Sequence, residues 1–558
     1  MRVALAQINP TVGDIDENTR RIVEQIEKAA AQSAQLVVLP ELAVFGYPPK
    51  DLLLREDLVR KNVAALQHIA GRCVQTAAVI GYVQPDPERA GKGIFNAAAV
   101  CAHAKVIASY AKMLLPTYDV FDESRYFNAG RAVRAVNLPA AGPLANIGLT
   151  ICEDLWNDHQ FEGRRVYGID PIEMTVQAGA RLLINISASP YRVGKHVDRE
   201  AIFAEQVRAL ATPLIYVNQV GGNDDLVFDG ASLVFDAEGR VIARAKAFAE
   251  DLLLVDLPAA APQQLEPYPE RMDSIHQALV LGLRDYIHKC GFEKVVLGLS
   301  GGIDSALAAI LAVEAVGADN VCGVAMPSRF SSSHSIEDAR ALAENLGIRF
   351  FIIPIEGVHK AIESVMVPHF DRRPPGVAEE NIQARIRGNV LMALSNKFGW
   401  LLVTTGNKSE LAVGYCTLYG DMCGGVAVLA DVPKTLVYQL SRRINERPPV
   451  PCRVPGRPLI PVRTIEKPPS AELRENQFDQ DLLPPYDVVD GILERYVETY
   501  MAPADIVADG FDPAIVERIV RMVDANEYKR KQLPVGLKVT SLAFGTGRRM
   551  PIAARYHA

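Results

Sequence analysis

Long apolar runs are missing from this 558-residue chain. No stretch reaches the roughly 18–20 apolar residues that cross a bilayer, so no membrane span is expected. The N-terminus, MRVALAQINPTVGDID, lacks the long apolar region of a signal peptide and runs straight into a strand. Cysteine is scarce: the eight present sit mostly inside apolar runs. That usage suits reduced thiols in a cytosol rather than a disulfide framework, and a cytoplasmic protein is expected. An excess of charge is also lacking. Fifty-nine basic and 66 acidic residues leave a net charge of −7, so no global field recruits nucleic acid or a membrane surface. There is no internal repeat and no low-complexity tract. What remains, 49 % hydrophobic and 22 % charged residues, is ordinary for a soluble globular protein. The length exceeds one core, so two or three domains are expected.

One stretch organises the rest: VVLGLSGGIDS, residues 295–305. Val295, Val296 and Leu297 read as a buried strand, Ser300-Gly301-Gly302 as a tight turn, and Asp304-Ser305 as the start of a helix. Successive glycines let backbone N–H groups converge on a phosphate with no Cβ in the way. The helix start adds unpaired donors and the positive end of a dipole. Asp304 is placed to hold a divalent cation on those phosphates, because Mg²⁺ takes oxygen ligands and bridges carboxylate to phosphate. The GK[ST] ending of a Walker A loop is absent, which excludes a kinase or GTPase-like site here. The loop resembles that of the ATP pyrophosphatase family, whose members split ATP to AMP and pyrophosphate while activating a carboxylate or carbonyl as an adenylate.

In the N-terminal half, three residues each follow an apolar, strand-like run. Glu41 follows Leu36–Leu39, Lys112 follows Val106–Tyr110, and Cys152 follows Ala145–Ile151. Alone, each has an ordinary explanation: a solvated carboxylate, a surface lysine, an inert core cysteine. Cys152 opens a presumed helix whose N–H donors favour thiolate, and the acids Glu153 and Asp154 suit its first turn. Together, in the order Glu, Lys, Cys, they resemble the nitrilase (carbon–nitrogen hydrolase) superfamily. The contexts PELAVFGYPPKDLL, YAKMLLPTYDVFDE and ICEDLW carry the likeness, over about residues 1–260. The resemblance implies an α-β-β-α sandwich. Cys152 would be the nucleophile, Glu41 the proton carrier, Lys112 and the Glu153 N–H the oxyanion donors, and Glu123 a second glutamate orienting lysine and water. The segment SPYRVGK resembles the glutamine-holding loop of glutaminase-type members, which implies that Tyr118, Ser189 and Lys195 bind L-glutamine.

Pro258 to Pro269, PAAAPQQLEPYP, reads as an extended linker. Beyond it, strands alternate with helices: Val321–Met326, helix Ile336–Leu346, Phe350–Ile353, helix Glu380–Asn396, Leu401–Thr405. That pattern predicts a parallel sheet with helices on both faces, with ligands at the carboxyl ends of its strands. Thr405 and Glu410 follow such an end. Arg385 and Arg387 are phosphate contacts or helix-surface charge. Cys416 and Cys423 lack the paired spacing of a zinc site. Arg447–Pro469, dense in Pro and Arg, reads as mobile or partner-contacting.

ENIQARIRGN, LLVTTGNKSELAVGY, YGDMCGGVAVLADVPKTLVYQL and NEYKRKQLPVG resemble the NAD⁺ synthetase family. With the nitrilase-like half attached, the chain resembles its glutamine-dependent form. The expected class is therefore α/β: a nitrilase-like glutaminase domain at 1–258, a linker at 259–270, and a parallel, Rossmann-like domain of the adenine nucleotide alpha hydrolase type at 271–558. The resemblance implies conversion of deamido-NAD⁺ to NAD⁺ with ATP as co-substrate, Mg²⁺ as cofactor and ammonia drawn from glutamine. It implies ATP contacts at Gly298, Leu299, Ser300, Gly301, Gly302, Ile303, Asp304, Ser305, Thr405 and Lys434. Magnesium ligands map onto Asp304 and Glu410, and dinucleotide contacts onto Asn381, Arg385, Glu410, Asp421 and Lys529. The glycine-rich loop departs from the family's short members, reading GDMCGG where they have a GDGGAD-like run. A homo-oligomer, commonly an octamer, is a further implication. Three alternatives stay open: another amidotransferase such as a GMP or asparagine synthetase, a stand-alone amidase with a degenerate second domain, and a non-enzymatic scaffold.

Overall fold

Alternate residues of a strand point to opposite faces. In β1 (Arg2–Gln7), Val3 and Leu5 enter one core cluster and Ala4 and Ala6 another. A strand apolar on both faces must be covered on both, and that requirement shapes the N-terminal part of the computed structural model. The structure describes residues 1–138, 142, 144–156, 167–259, 261–475 and 477–556. It divides into two units, Met1–Ser274 and Ile275–Ala558.

The first unit continues with β2 (Leu36–Val38), β3 (Ala77–Pro85), β4 (Ile94–Ala102), β5 (Lys105–Ala111), β6 (Ala135–Asn137), β7 (Asn146–Ile151), β8 (Leu182–Ser187), β9 (Leu214–Asn218), β10 (Val220–Asn223), β11 (Leu226–Asp229), β12 (Leu233–Phe235), β13 (Val241–Arg244) and β14 (Asp251–Asp256). Two six-stranded sheets form, ordered β14-β1-β2-β3-β4-β5 and β13-β12-β9-β8-β7-β6, with β10-β11 as a separate hairpin. Their facing surfaces share one core: Val3, Leu5, Val38, Val79 and Val100 from one sheet, Ile147, Leu149, Ile184, Ile215 and Val234 from the other. The first sheet's outer face is covered by helices Ile15–Ala31 and Glu56–Arg72, through Ile22, Ile26, Leu66 and Ile69. The second is covered by helices Pro171–Gln177 and Lys195–Leu210, through Ile172, Ile202, Phe203 and Val207. This is the expected α-β-β-α sandwich. The hairpin β3–β4 and the helix Glu56–Arg72 had no clear sequence signal, the former because its alanine-rich strand IFNAAAVCA lacks a helix–strand bias.

Within the stretch read as a linker, residues 263–266 are docked. The Gln263 N–H donates to the Ile242 carbonyl at 2.9 Å and the Glu266 N–H to the Arg244 carbonyl at 3.1 Å, so this segment runs along β13.

The second unit holds β15 (Val295–Gly298), β16 (Val321–Ala325), β17 (Arg349–Ile352), β18 (Leu401–Thr404), β19 (Val426–Ala427) and β20 (Val535–Gly536). All are parallel, in the order β17-β16-β15-β18-β19-β20. The strand order reverses between β15 and β18, which opens a crevice at their carboxyl ends. Helix Ile303–Val316 leaves β15 through the SGGIDS turn and is buried on nearly every face. The segment 447–469 is not loose. The Arg453 N–H donates to the Asn345 carbonyl at 2.7 Å, and Arg463 pairs with Asp338 at 2.7 Å and Glu337 at 3.0 Å. It is laid along helix Ser333–Leu346. No helix of the described residues is long and apolar enough to cross a membrane.

A buried lysine ties the end of β18 to the C-terminal tail. Lys408 Nζ meets Asp431 at 2.9 Å and Glu498 at 2.7 Å, and donates to Thr540 Oγ1 at 2.7 Å and the Leu542 carbonyl at 2.9 Å. Removing one partner of a buried pair leaves an uncompensated charge. Lys408→Met is therefore expected to destabilise the second unit by about 3–5 kcal/mol, read as a fall in the denaturant midpoint; an unchanged midpoint would contradict the role.

Candidate active sites

Lys112 sits where β5 ends, with no solvent exposure, and so does Glu41 after β2. Lys112 Nζ donates to Glu41 Oε1 and to Glu123 Oε1, each at 2.7 Å. Asn96 of β4 donates to Glu41 Oε1 at 2.7 Å and to Glu123 Oε2 at 3.4 Å. The Ala188 N–H donates to Glu41 Oε2 at 2.8 Å, and the Tyr47 hydroxyl to Glu123 Oε1 at 2.9 Å. Burial alone would lower the Lys112 ammonium, but Glu123 and Glu41 outweigh it and hold it well above the usual lysine range. Burial pushes Glu123 up to about 7 against the pull of Lys112.

Cys152 is buried at the end of β7, within electrostatic reach of Glu41, Lys112, Glu153 and Glu123. The expected helix after it is only a four-residue 3₁₀ turn, Cys152–Leu155. So short a turn carries little dipole. Burial, and then Glu41, push the thiol above its ordinary range, with Lys112 pulling the other way. Burial thus works against the thiolate that a helix start would favour.

Tyr118, Tyr167 and Lys195 gather around Glu153. Tyr118 donates to the Glu153 carboxylate at 2.9 Å and Tyr167 at 3.2 Å. Lys195 lies 5.2 Å from the centre of the Trp156 ring and donates to the Pro190 carbonyl at 2.9 Å. Burial, with Arg199 nearby, lowers it to about 7. Ser189 is buried next to Ala188, its N–H donating to Asn218 Oδ1 at 2.9 Å. Sequence reasoning missed the Glu153 carboxylate, Asn96, Tyr47 and Asp154. Asn96 did leave a signal: it is the one polar residue in IFNAAAVCA, and a polar side chain in an apolar strand needs a partner.

Gly81 of β3 lets this cluster form. A Cβ there would lie 2.3 Å from the Leu42 nitrogen and 2.4 Å from the Pro40 carbonyl oxygen, the two neighbours of Glu41.

In the second unit a cavity of about 330 Å³ opens at the ends of β15 and β18. Gly298, Leu299, Ser300, Gly302, Ile303, Asp304, Ser305, Thr405, Glu410, Asp421 and Lys434 line it. Gly301 shapes the turn behind them: its φ is +77°, and a Cβ would lie 2.3 Å from the Ser335 carbonyl oxygen. Lys434 Nζ lies 2.6 Å from Asp304 Oδ2 and 2.9 Å from Glu410 Oε1, while Asn407 donates to Asp304 Oδ1 at 2.9 Å. Burial would lower Lys434, but Asp304 and Glu410 outweigh it and hold it raised. Burial pushes Glu410 up to about 7 and Asp421 to about 6. Among the described residues no cluster of three or more His, Cys, Asp or Glu side chains could hold a metal by itself. Two convergent carboxylates suit Mg²⁺ only where phosphate oxygens complete its shell.

Asn381, Arg385 and Lys529 do not line the cavity. They brace the adjoining loop instead. Asn381 accepts from Thr417 Oγ1 at 2.7 Å, Arg385 donates to the Leu418 carbonyl at 3.2 Å, and Lys529 to the Gly414 carbonyl at 2.7 Å. Arg387, two residues on and so on the other side of the helix, does line it, as do Lys467 and Glu472. The sequence could not choose between Arg385 and Arg387 without knowing which face of the helix looks inward.

A carbon-nitrogen hydrolase family model matches residues 2–266, and an NAD synthase family model matches residues 275–533. A glutamine-dependent NAD(+) synthetase of Synechocystis sp. is 49 % identical over 564 residues, covering 100 % of this chain and 99 % of the relative. The chain belongs to the glutamine-dependent NAD(+) synthetase family. A second member, from Thermotoga maritima, is 43 % identical, covering 100 % of this chain and 99 % of that protein. A solved glutamine-dependent NAD+ synthetase of Acinetobacter baumannii, in complex with adenosine diphosphate, is 40 % identical. It superposes with a TM-score of 0.77, covering 99 % of this chain and 98 % of that one. The two family models fall within separate units: the Cys152 pocket lies in the carbon-nitrogen hydrolase match and the SGGIDS cavity in the NAD synthase match.

Gly81→Ala is expected to destabilise the first unit by about 1–3 kcal/mol through overpacking and to displace the Glu41 turn. A denaturant midpoint equal to that of the unsubstituted protein would count against the close approach.

Proposed function

We propose that this chain converts deamido-NAD⁺, ATP and L-glutamine to NAD⁺, AMP, diphosphate and L-glutamate. The observation that carries the reading is that Glu41 and Lys112 are paired and buried within electrostatic reach of the buried Cys152, in a chain of this family that also holds the SGGIDS cavity.

In the first unit, Cys152 attacks the side-chain amide carbon of glutamine. Its raised thiol is not ionised beforehand, so Glu41 takes the proton as the carbon–sulfur bond forms and delivers it to the departing ammonia. The Lys112 ammonium and the Glu153 N–H face the oxyanion. Water then cleaves the thioester, with Glu123 orienting Lys112 and the water. Glutamine also carries an α-ammonium and an α-carboxylate. The Glu153 carboxylate, held by Tyr118 and Tyr167, suits the first, and Lys195 with Ser189 suits the second.

In the second unit, the backbone N–H groups of residues 300–305 and the Lys434 ammonium receive the phosphates of ATP, and Thr405 contacts the nucleotide. Asp304 and Glu410 would hold Mg²⁺, which neutralises charge on the departing diphosphate. A carboxylate is a poor electrophile, so the nicotinate group is activated as an adenylate before ammonia displaces AMP. Asn381, Arg385, Glu410, Asp421 and Lys529 are assigned to the dinucleotide. The bracing bonds of Asn381, Arg385 and Lys529 support a role in shaping the loop that would receive it. The reading extends to a cytoplasmic homo-oligomer, an octamer by family resemblance, and the eight free cysteines suit a reducing compartment.

Cys152→Ala tests the reading. NAD⁺ formation should be lost with glutamine and retained with ammonium as nitrogen donor; full activity with glutamine would remove Cys152 as nucleophile. A pH series tests Lys195. It is protonated below about 7 and neutral above, so the KM for glutamine should rise as pH climbs beyond that value, and Lys195→Met should flatten the rise. A KM independent of pH in the unsubstituted enzyme would take Lys195 off the substrate carboxylate.

A further inference from the structure

Cys152 has φ of +39°, a left-handed conformation that side chains other than glycine rarely adopt. Such a turn persists only where its surroundings over-determine it. One fully buried group does this, the carboxylate of Asp154. Its Oδ2 accepts from the Ile151 N–H, the residue before the cysteine, at 2.9 Å and from the Tyr110 hydroxyl at 2.8 Å. Its Oδ1 accepts from the Met113 N–H at 3.2 Å and the Leu114 N–H at 3.0 Å, the two residues after Lys112. A single carboxylate thus spans the turn that presents the thiol and the strand end that presents the ammonium. Burial pushes Asp154 up to about 6, while its backbone and Tyr110 donors pull the other way.

We propose that Asp154 is a positioning residue of the glutaminase, whose carboxylate sets where Cys152 stands relative to Lys112. The inference rests on the roles given above to those two residues. Asp154 has no place among the groups that meet glutamine, because all its acceptor positions are taken by the protein. Its effect passes through geometry. Attack by Cys152 and stabilisation of the oxyanion by Lys112 must occur on one carbonyl at once, and small misplacements are costly there. Four donors aimed at one carboxylate make a neutral amide a poor replacement. An amide offers a single acceptor oxygen, and its NH₂ group would face backbone N–H donors that cannot accept.

The test uses the full-length enzyme and Asp154→Asn, with Cys152→Ala alongside. Glutamine-dependent kcat should fall about 10²-fold with KM for glutamine within about threefold, the split expected of lost transition-state geometry rather than lost binding. Alkylation of Cys152 by iodoacetamide should change in rate, which reads the thiol without turnover, and ammonium-dependent NAD⁺ formation should be unaltered. A kcat unchanged within about threefold overturns the proposal. So does a kcat loss that comes with an equal loss in thermal stability and a raised KM, the pattern of a merely structural residue. If Asp154→Asn does not fold, Tyr110→Phe removes one of the four donors. It should lower kcat about tenfold with KM unchanged, and an unaltered kcat overturns the proposal. Glutamine-dependent activity surviving in Cys152→Ala overturns the catalytic reading beneath it. An inactive Cys152→Ala beside a fully active Asp154→Asn overturns the positioning role alone.

Discussion

The Lys112 ammonium is fully buried, and a buried cation is tolerated only when it is paired and hydrogen-bonded. Two carboxylates, Glu41 and Glu123, meet it at the same distance, and much of the first unit serves to hold those two acids. Asn96 bridges them, Ala188 and Tyr47 each donate to one of them, and Gly81 leaves room for the backbone that carries Glu41. The sheets keep water out, which strengthens every one of these interactions and makes any missing partner costly. Cys152 inherits that environment. The same burial pushes its thiol above the ordinary range, against the pull of Lys112.

The second unit uses a related device under different constraints. Lys434 also lies between two carboxylates, Asp304 and Glu410, but these line an open cavity, and part of the acid side chains remains exposed. Lys434 thus stands beside a cavity, whereas Lys112 is fully buried. The contrast follows from the fold. A topological switch point leaves a crevice at the strand ends, while a sandwich closed on four layers leaves little room at the centre.

Much of this was legible in one dimension. The turn at SGGIDS is a local event, since each glycine and the following helix lie within a few residues of one another. The β/α pattern after residue 295 led to the parallel sheet of the second unit. The extra strength of Glu41, Lys112 and Cys152 as a set came from their shared position after apolar strands and from the order Glu, Lys, Cys that resembles the nitrilase superfamily; Glu41 and Cys152 follow strands with parallel partners, and Lys112 follows an antiparallel one. Less legible were residues whose role exists only through distant partners. Asp154 looked like a helix first-turn acid, yet it bonds to residues 40 and 41 positions away. The segment 447–469 looked loose because prolines and arginines are common in exposed stretches, but Asp338, Glu337 and Asn345 of one helix claim it.

Sequence alone determined the chemistry available: a thiol, an acid and a lysine after apolar strands in one half, a glycine-rich turn with an acid in the other. These depend on residue type and short spacing, which chain order preserves. Tertiary structure decided which of those groups are dry, which are paired, and which face of the helix Val377–Phe398 looks inward, so that Arg387 lines the cavity and Arg385 braces its loop. It also decided that burial pushes the Cys152 thiol above its ordinary range. Burial and pairing are set by the register of sheets that join residues more than a hundred positions apart, and no local pattern contains that register.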